Sequence, residues 1–470
     1  MTATAAPPLA NSAVQAFAAA LRGELIQQSD PTYDEARTIY NAMIDRRPRL
    51  IARCADAGDV ISTVNFAREH GLTAAIRSGG HHGAGLSVVD DGIVIDLSLM
   101  RGVRVDPVNQ TALVMAGSKL GDVDHATHAF GMATPSGIIS TTGVGGITLG
   151  GGLGHLTRKC GLAIDNLLEA DVVLADGSFV TANERNHPDL FWALRGGGGN
   201  FGVVTSFLFR LHPISTVYAG PMLWPIERAA DVLRWYRDFL PAAPDDLNGF
   251  FAFLVVPPAD PFPQELQGKP MCGIVWCYAG PQDRAEATFA PIRAQFGAPA
   301  LDWVGPLPVP ALQSMFDALY PPGDQWYWKA DFFGELTDDA IARHVEFGAK
   351  LPTWKSTMHL YPIDGAAGRV PKDATAWNYR DAKWNQVIVG VSTDPADKQK
   401  LIEWARAYWS ALHPYSSGGG YVNMMMDSTD EGQGRIQAAY GDNFERLARV
   451  KATYDPTNFF RMNQNIAPRA

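Results

Sequence analysis

The chain has 470 residues, 46% of them hydrophobic and 19% charged, with a formal net charge of −10. That is globular composition with length for roughly two or three domains of about 150 residues. An acidic, charge-dispersed surface argues against a nucleic-acid partner, and the lack of any run of about 18 apolar residues argues against a membrane span. The opening stretch "MTATAAPPLANSAVQAF" has no basic region ahead of an apolar one, so the expectation is a cytoplasmic protein without a secretory signal. Four cysteines (Cys54, Cys160, Cys272 and Cys277) do not make a disulfide framework, and no CxxC or HExxH supports a metal.

In chain order, Val14, Phe17, Leu21 and Leu25 fall at helical spacing, as do Val60, Val64 and Ala67 ahead of Gly71, a helix-ending glycine. Short β-like runs follow: "TAAIR" (73–77), "GIVIDL" (92–97), "ALVM" (112–115) and "ADVVL" (170–174). "VVLADGSFVTA" reads as two strands joined by a tight Asp-Gly turn, and "FGVVTSFLFRLHP" (201–213) as a long strand or strand pair ending at Pro213. Residues 50–213 are therefore α+β. Residues 215–415 are richer in Trp and Pro, with helical stretches near 227–240, 338–350 and 396–412 and strands at "GFFAFLVV" (249–256) and "CGIVWCYAG" (272–280). This texture marks a second domain. The tail carries an amphipathic helix over 435–456 and a polar extension, "TNFFRMNQNIAP".

The 46 glycines concentrate in "GIISTTGVGGITLGGGLG" (137–154) and "RGGGGNFG" (195–202). Glycine clusters flanked by apolar runs mean either backbone approaching a ligand closely or tight turns. Two common phosphate motifs fail. Gly143-Val144-Gly145 has Thr148, and Gly152-Leu153-Gly154 has Thr157, where a dinucleotide GxGxxG needs its third glycine; no GxxxxGK[ST] run exists.

Four segments, "RSGGHHGAG" (77–85), "PSGIISTTGVGGITLGGGLGHLTRKCGLAIDNLLEADVVLADG" (135–177), "LFWALRGGGGNFGVVTSF" (190–207) and "YDPTNFFRMNQNIAP" (454–468), stand in order over about 400 residues. Together they resemble the berberine bridge enzyme-like FAD-linked oxidases of the vanillyl-alcohol oxidase superfamily. The resemblance implies an α+β, two-domain PCMH-type FAD-binding fold. Its FAD domain would comprise residues 1–213 and the C-terminal segment 419–470. Residues 214–418 would form a substrate domain whose antiparallel sheet, covered by helices, lies over the isoalloxazine ring.

The resemblance also implies roles residue by residue. His81, directly after R-x-G-G, would be bonded through its ring to the flavin 8α carbon. Arg77, Ser78, Gly79, Gly80, His82 and Gly83 would follow the pyrophosphate. Pro135, Gly137, Thr141, Thr142, Gly143, Gly145, Gly146, Thr148, Gly150, Gly151, Gly152, Gly154 and His155 would make the second cofactor loop. Gly202 and Val203 would run under the adenine or ribitol side, and Asn463 and Asn465 would close the flavin end. The position of the second, cysteinyl attachment of many relatives maps to Ile139, so a single covalent bond is expected; Cys160 reads as a buried inert thiol. Thr142 stands where a bulky residue blocks oxygen in relatives, and its small side chain favours an oxidase releasing H2O2.

Substrate chemistry needs a C–H aimed at flavin N5 and a proton acceptor for the adjoining O–H or N–H. The carboxylate that plant relatives carry is absent from "SSGGGYVNMMMD". Tyr421 is the candidate base if its pKa is lowered, with Asn423 orienting and both on one face of a strand. Tyr379 with Arg380 makes a second candidate pair; His359 either faces the same cavity or lies in the sheet, and the sheet is preferred. The expected function is a monocovalent FAD oxidase acting on a C–OH or C–N bond of a small organic molecule (a sugar, secondary-metabolite alcohol or amine), with O2 as the second substrate and no metal. The alternatives are a dehydrogenase of the same fold and a flavin-binding protein without turnover. Nothing in the sequence marks an oligomeric state.

Overall fold

The computed structural model describes residues 9–469. Its first sheet has four strands, β1 (Glu24–Gln27), β2 (Leu50–Arg53), β3 (Ala74–Arg77) and β4 (Ile93–Asp96), in the order β1-β2-β4-β3. β4 pairs in parallel with both β2 and β3, and all four of its residues are buried, as the unbroken apolar run "IVI" requires of a parallel central strand. The second sheet is antiparallel, in the order β5-β6-β9-β7-β8. Its strands are β5 (Val103–Asp106), β6 (Thr111–Met115), β7 (Leu167–Val173), β8 (Phe179–Asn183) and β9 (Val203–Arg210). β7 and β8 form the hairpin expected at Asp176-Gly177, where Gly177 takes φ +84°.

The third sheet holds β10 (Thr216–Pro225), β11 (Leu247–Val255), β12 (Pro270–Tyr278), β13 (Leu301–Asp302), β14 (Gly305–Pro308), β15 (Gln325–Phe333), β16 (Thr357–Pro362) and β17 (Trp384–Ser392). The order is β13-β10-β12-β11-β16-β17-β15, with β14 also on β10. Alternation along its strands sorts side chains between two cores. Phe251, Phe253, Met358, Leu360 and Ile388 pack with Val232, Tyr236, Ile341, Tyr408 and Leu412, from the helices Ala229–Phe239, Asp338–Gly348 and Lys398–Leu412. Their neighbours Phe250, Ala252, Tyr361, Val387 and Val389 join the core of the first two sheets. A sheet buried on both faces explains why β11 and β12 read as near-continuous apolar runs.

The expectations differ from the fold at two ends. Leu25 belongs to β1, because the first helix stops at Ala20. The tail helix is two helices, Gln433–Tyr440 and Phe444–Tyr454, broken at Gly441, whose φ is +50° and where a Cβ would stand 2.2 Å from the Asn378 amide. The second helix docks on the helix Pro188–Leu194. Within it the fully buried Lys451 reaches Asp455 Oδ2 (2.6 Å), the Asn200 carbonyl (2.6 Å) and the Phe460 carbonyl (2.9 Å). This pins the tail to the "GGGGN" loop. Among the described residues no helix is long and apolar enough to cross a membrane.

Candidate active site

A cavity of about 330 Å³ lies where the three sheets meet. Its walls come from the loop after β3 (Ser78, Gly79, Gly80, His81, His82), from Gly137 to Leu149, from Gly198, Gly199 and Gly202, and from Tyr421 to Met424 with Asn463 and Gln464. The eight-stranded sheet closes it with Trp326, Trp328, Thr357, His359, Tyr361, Val387 and Val389. Among the described residues no Asp, Glu, Lys or Arg lines it.

His81 and His82 have different jobs. His82 Nδ1 accepts the Ala84 N–H (3.2 Å), so the other nitrogen carries the proton and Nε2–H donates to the Val422 carbonyl at 3.1 Å. His82 thereby clamps the loop to the C-terminal segment. His81 stacks on Tyr40 with ring centroids 3.8 Å apart and meets the hydroxyls of Thr141 (Nε2, 3.0 Å) and Thr142 (Nδ1, 3.4 Å). Burial, reinforced by the charge of Lys119, pushes its imidazole down to about 3, so the ring is neutral, with one nitrogen protonated and the other keeping its lone pair.

The other expected residues divide. Ser78, Gly79, Gly80, Gly137, Thr142, Gly143, Gly145, Gly146, Gly202, Asn463, Tyr421 and Asn423 line the cavity. The remainder do not face it, each for a visible reason. Arg77 pairs with the buried Asp96 at 2.7 Å. Gly83 lies against the Trp328 indole, 2.3 Å from where a Cβ would be. Thr141 touches His81 from behind, and Pro135, Thr148 and Val203 are buried in the surrounding packing. Gly150, Gly151, Gly152 and Gly154 are close-packing glycines: a Cβ would strike Asn423, Tyr421, Ala163 and the Ser136 carbonyl respectively. His155 borders a separate small space with Asn248, Phe250 and Cys277. Asn465 yields its place to Gln464.

Tyr421 and Asn423 do meet, though not on a strand: Val422–Met424 is a single 3-10 turn. The Tyr421 hydroxyl oxygen accepts the Gly152 N–H (2.8 Å) and the Asn423 side-chain N–H (2.9 Å). Both contacts favour the phenolate, but burial outweighs them and raises the phenol above its ordinary value. Tyr379 and Arg380 lie outside the cavity. Tyr379 stacks on Phe332, donates to the Ala438 carbonyl (2.6 Å) and is pushed up to about 12 by burial. Arg380 is bidentate to Asp165 at 2.7 and 2.8 Å. Cys160 faces the Val217–Leu312 cluster, its thiol pushed up to about 12. His359, assigned to the sheet, is in β16 and also faces the cavity. Sequence reasoning missed Tyr40, Tyr320, Trp326, Trp328 and Tyr361, which carry no motif and are brought in by strand parity and chain crossing.

Two glycines show room for a bound group. A Cβ at Gly146 or Gly199 would have no protein atom within 4 Å, although both residues line the cavity. The side-chain oxygen Oε1 of Gln464 is buried without a partner among the described residues. Open glycine backbone and a wholly uncharged wall fit a large flat cofactor whose phosphates are met by main-chain N–H groups.

A family model described as "FAD binding domain" matches residues 48–183, and one described as "Berberine and berberine like" matches 420–467. The Bacillus subtilis FAD-linked oxidoreductase YgaK is 33% identical over 455 residues, covering 95% of this chain and 97% of the relative. The (R)-6-hydroxynicotine oxidase of Paenarthrobacter nicotinovorans is 31% identical over 465 residues, covering 95% and 97%. Among solved structures, 6-hydroxy-D-nicotine oxidase from Arthrobacter nicotinovorans superposes with a TM-score of 0.85 at 29% identity, over 98% of this chain and all of that one. Glycine loops, cavity and tail thus agree with relatives matched end to end, and the chain belongs to the berberine bridge enzyme-like FAD-linked oxidoreductases.

Proposed function

We propose that this oxidoreductase carries FAD through one covalent bond, to His81, and is an oxidase of a C–OH or C–N bond in a small uncharged molecule, passing the electrons to O2 as H2O2. The observation that carries this reading is His81 itself: a neutral imidazole on the cavity wall, held between Tyr40 and two threonine hydroxyls. Protonated imidazole is no nucleophile; a buried neutral one is. Among the described residues no thiol lines the cavity, and Ile139 stands on its wall, so a second link has no donor there. FAD when bound supplies the hydride acceptor.

The chain's own residues supply orientation. Both lone pairs of the Tyr421 oxygen are occupied by N–H donors, so its one proton is free to point into the cavity. Tyr421 is a hydrogen-bond donor in this reading, and the base role is withdrawn from it. Thr142 leaves the wall beside His81 uncrowded, which favours oxygen as the electron acceptor over a dedicated protein partner. The wall of Tyr40, Phe316, Tyr320, Trp326 and Trp328 offers flat apolar faces. Of the three substrate classes, aromatic alcohols and amines fit such a wall better than sugars, and the kinship to a hydroxynicotine oxidase supports the same choice.

The test is acid precipitation of the purified protein, mass mapping of the yellow peptide, and oxygen uptake with peroxide detection over aromatic alcohols and amines. Flavin on the peptide containing His81 and stoichiometric peroxide are expected. Flavin released to the supernatant removes the covalent claim, and turnover only with an artificial acceptor favours the dehydrogenase.

A further inference from the structure

β16 turns alternate residues, Thr357, His359 and Tyr361, toward the cavity. The Thr357 hydroxyl is committed to the Phe253 carbonyl at 2.7 Å. His359 and Tyr361 are committed only to each other: Nδ1 and the phenol oxygen lie 2.8 Å apart. Phe250 packs on both rings, with centroids 4.8 Å from His359 and 4.9 Å from Tyr361, and fixes them side by side. Among the described residues no group bonds His359 Nε2.

Several of the surrounding side-chain donors are engaged elsewhere. Ser78 Oγ donates to the Ala116 carbonyl, and the side-chain N–H groups of Asn463 and Gln464 go to the carbonyls of Gly199 and Met426. The Asn423 amide bonds Ile147 and Tyr421. The pair on β16 sits on the sheet wall between Val387, Val389 and the indoles of Trp326 and Trp328, whose N–H groups are buried without a partner among the described residues.

One proton is shared between Nδ1 and the phenol oxygen. If the phenol donates to Nδ1, the cavity meets an Nε2–H donor and a phenol lone pair. If Nδ1–H donates to the phenol oxygen, the cavity meets an Nε2 lone pair and an O–H donor. Either way the pair presents one donor and one acceptor. A hydroxyl or secondary amine needs that complement; an ether or tertiary amine can use only half of it. Burial pushes His359 down to about 3, so the imidazole stays neutral and the complement persists across the working range.

We propose that His359 and Tyr361 form a specificity subsite that recognises the O–H or N–H of an uncharged aromatic substrate. The proposal rests on the reading that this cavity holds flavin and substrate together. Desolvated hydrogen-bonding pairs reject analogues lacking the partner group far more strongly than apolar pockets reject a missing methylene.

The experiment uses the flavin-loaded protein without oxygen and two probes, 4-methoxybenzyl alcohol and its methyl ether, with dissociation constants read from perturbation of the flavin absorption band. The wild type is expected to hold the alcohol at least tenfold tighter than the ether. H359L and Y361F are each expected to lose that preference while keeping the flavin. In protein labelled with 15N-histidine, the alcohol and not the ether is expected to shift the His359 ring signals. A wild type without the preference, or either variant retaining it, overturns the proposal. A wild type that binds no flavin overturns the functional reading beneath it, and is told apart by the missing yellow colour.

Discussion

Gly79 and Gly143 meet backbone to backbone: a Cβ on Gly79 would stand 2.3 Å from the Gly143 nitrogen, and one on Gly143 would stand 2.1 Å from the Gly79 nitrogen. The two glycine loops therefore touch each other before either touches a ligand. Gly146, three residues on, has open space instead.

That contrast separates two kinds of glycine. Gly79→Ala is expected to destabilise the fold by about 1–3 kcal/mol through overpacking against backbone. Gly146→Ala, inside the helix Val144–Gly150, is expected to stabilise flavin-free protein by about 0.5–1 kcal/mol and to lower flavin occupancy. Chemical denaturation and the flavin-to-protein absorbance ratio, both in an H81A background, measure the two effects. A Gly146→Ala protein with full flavin would show that the space is not used.

His81→Ala is expected to bind flavin reversibly, all colour leaving on acid precipitation. Cys160→Ser is expected to keep the attachment, since the thiol lies off the cavity wall. Peptide mapping of the pair decides it, and loss of the adduct in Cys160→Ser would contradict the single-link reading.

Tyr421→Phe removes the acceptor for a buried backbone N–H at Gly152 and for the Asn423 amide. The unsatisfied donors are expected to cost about 1–3 kcal/mol of stability. Urea midpoints at constant slope give the number. A neutral substitution would mean that another acceptor moves in.

Asp124 is buried beside Asp317, with Oδ2 unpartnered, and burial followed by that neighbouring charge pushes it up to about 8 from the usual 3.8. The folded protein then holds a proton that the unfolded chain has lost between these two values, so this group's contribution to stability is full below pH 4 and declines as pH rises toward 8. Asp124→Asn copies the protonated form and is expected to flatten that slope. Thermal midpoints from pH 4 to 8 test it; parallel curves for wild type and variant would show that Asp124 is ionised throughout.

The Asp176-Gly177 hairpin, the β4 run and the break between β9 and β10 near Pro213 were all legible because turn chemistry and apolar periodicity are local. The ligand side of the glycines was legible only in part. Gly146 and Gly152 are chemically alike, and what separates them is a neighbour distant in sequence, Ala163 for Gly152 and none for Gly146. The sheet reading of His359 holds, but the face it takes was not legible, for a related reason. Its side is set by register, Ala252↔His359 on one flank and Val387 on the other, and a one-residue slip would turn it to the helices. Tyr379 looked catalytic beside Arg380, but a carbonyl from the tail helix and a carboxylate from the FAD side claim the two groups first. The tail helix was overrun by one glycine whose left-handed backbone only the fold reveals.

The pin between Lys451, Asn200 and Phe460, with Asn463 and Gln464 beyond it, has a consequence for the order of events in the cell. Those last wall residues leave the ribosome some 260 positions after the loop they seal. A nascent chain thus folds its sheets around an unfinished cradle, and flavin capture is expected only once Asn463 and Gln464 have joined the wall. Ribosome-bound chains arrested before Asn463 are expected to be colourless, however native their sheets.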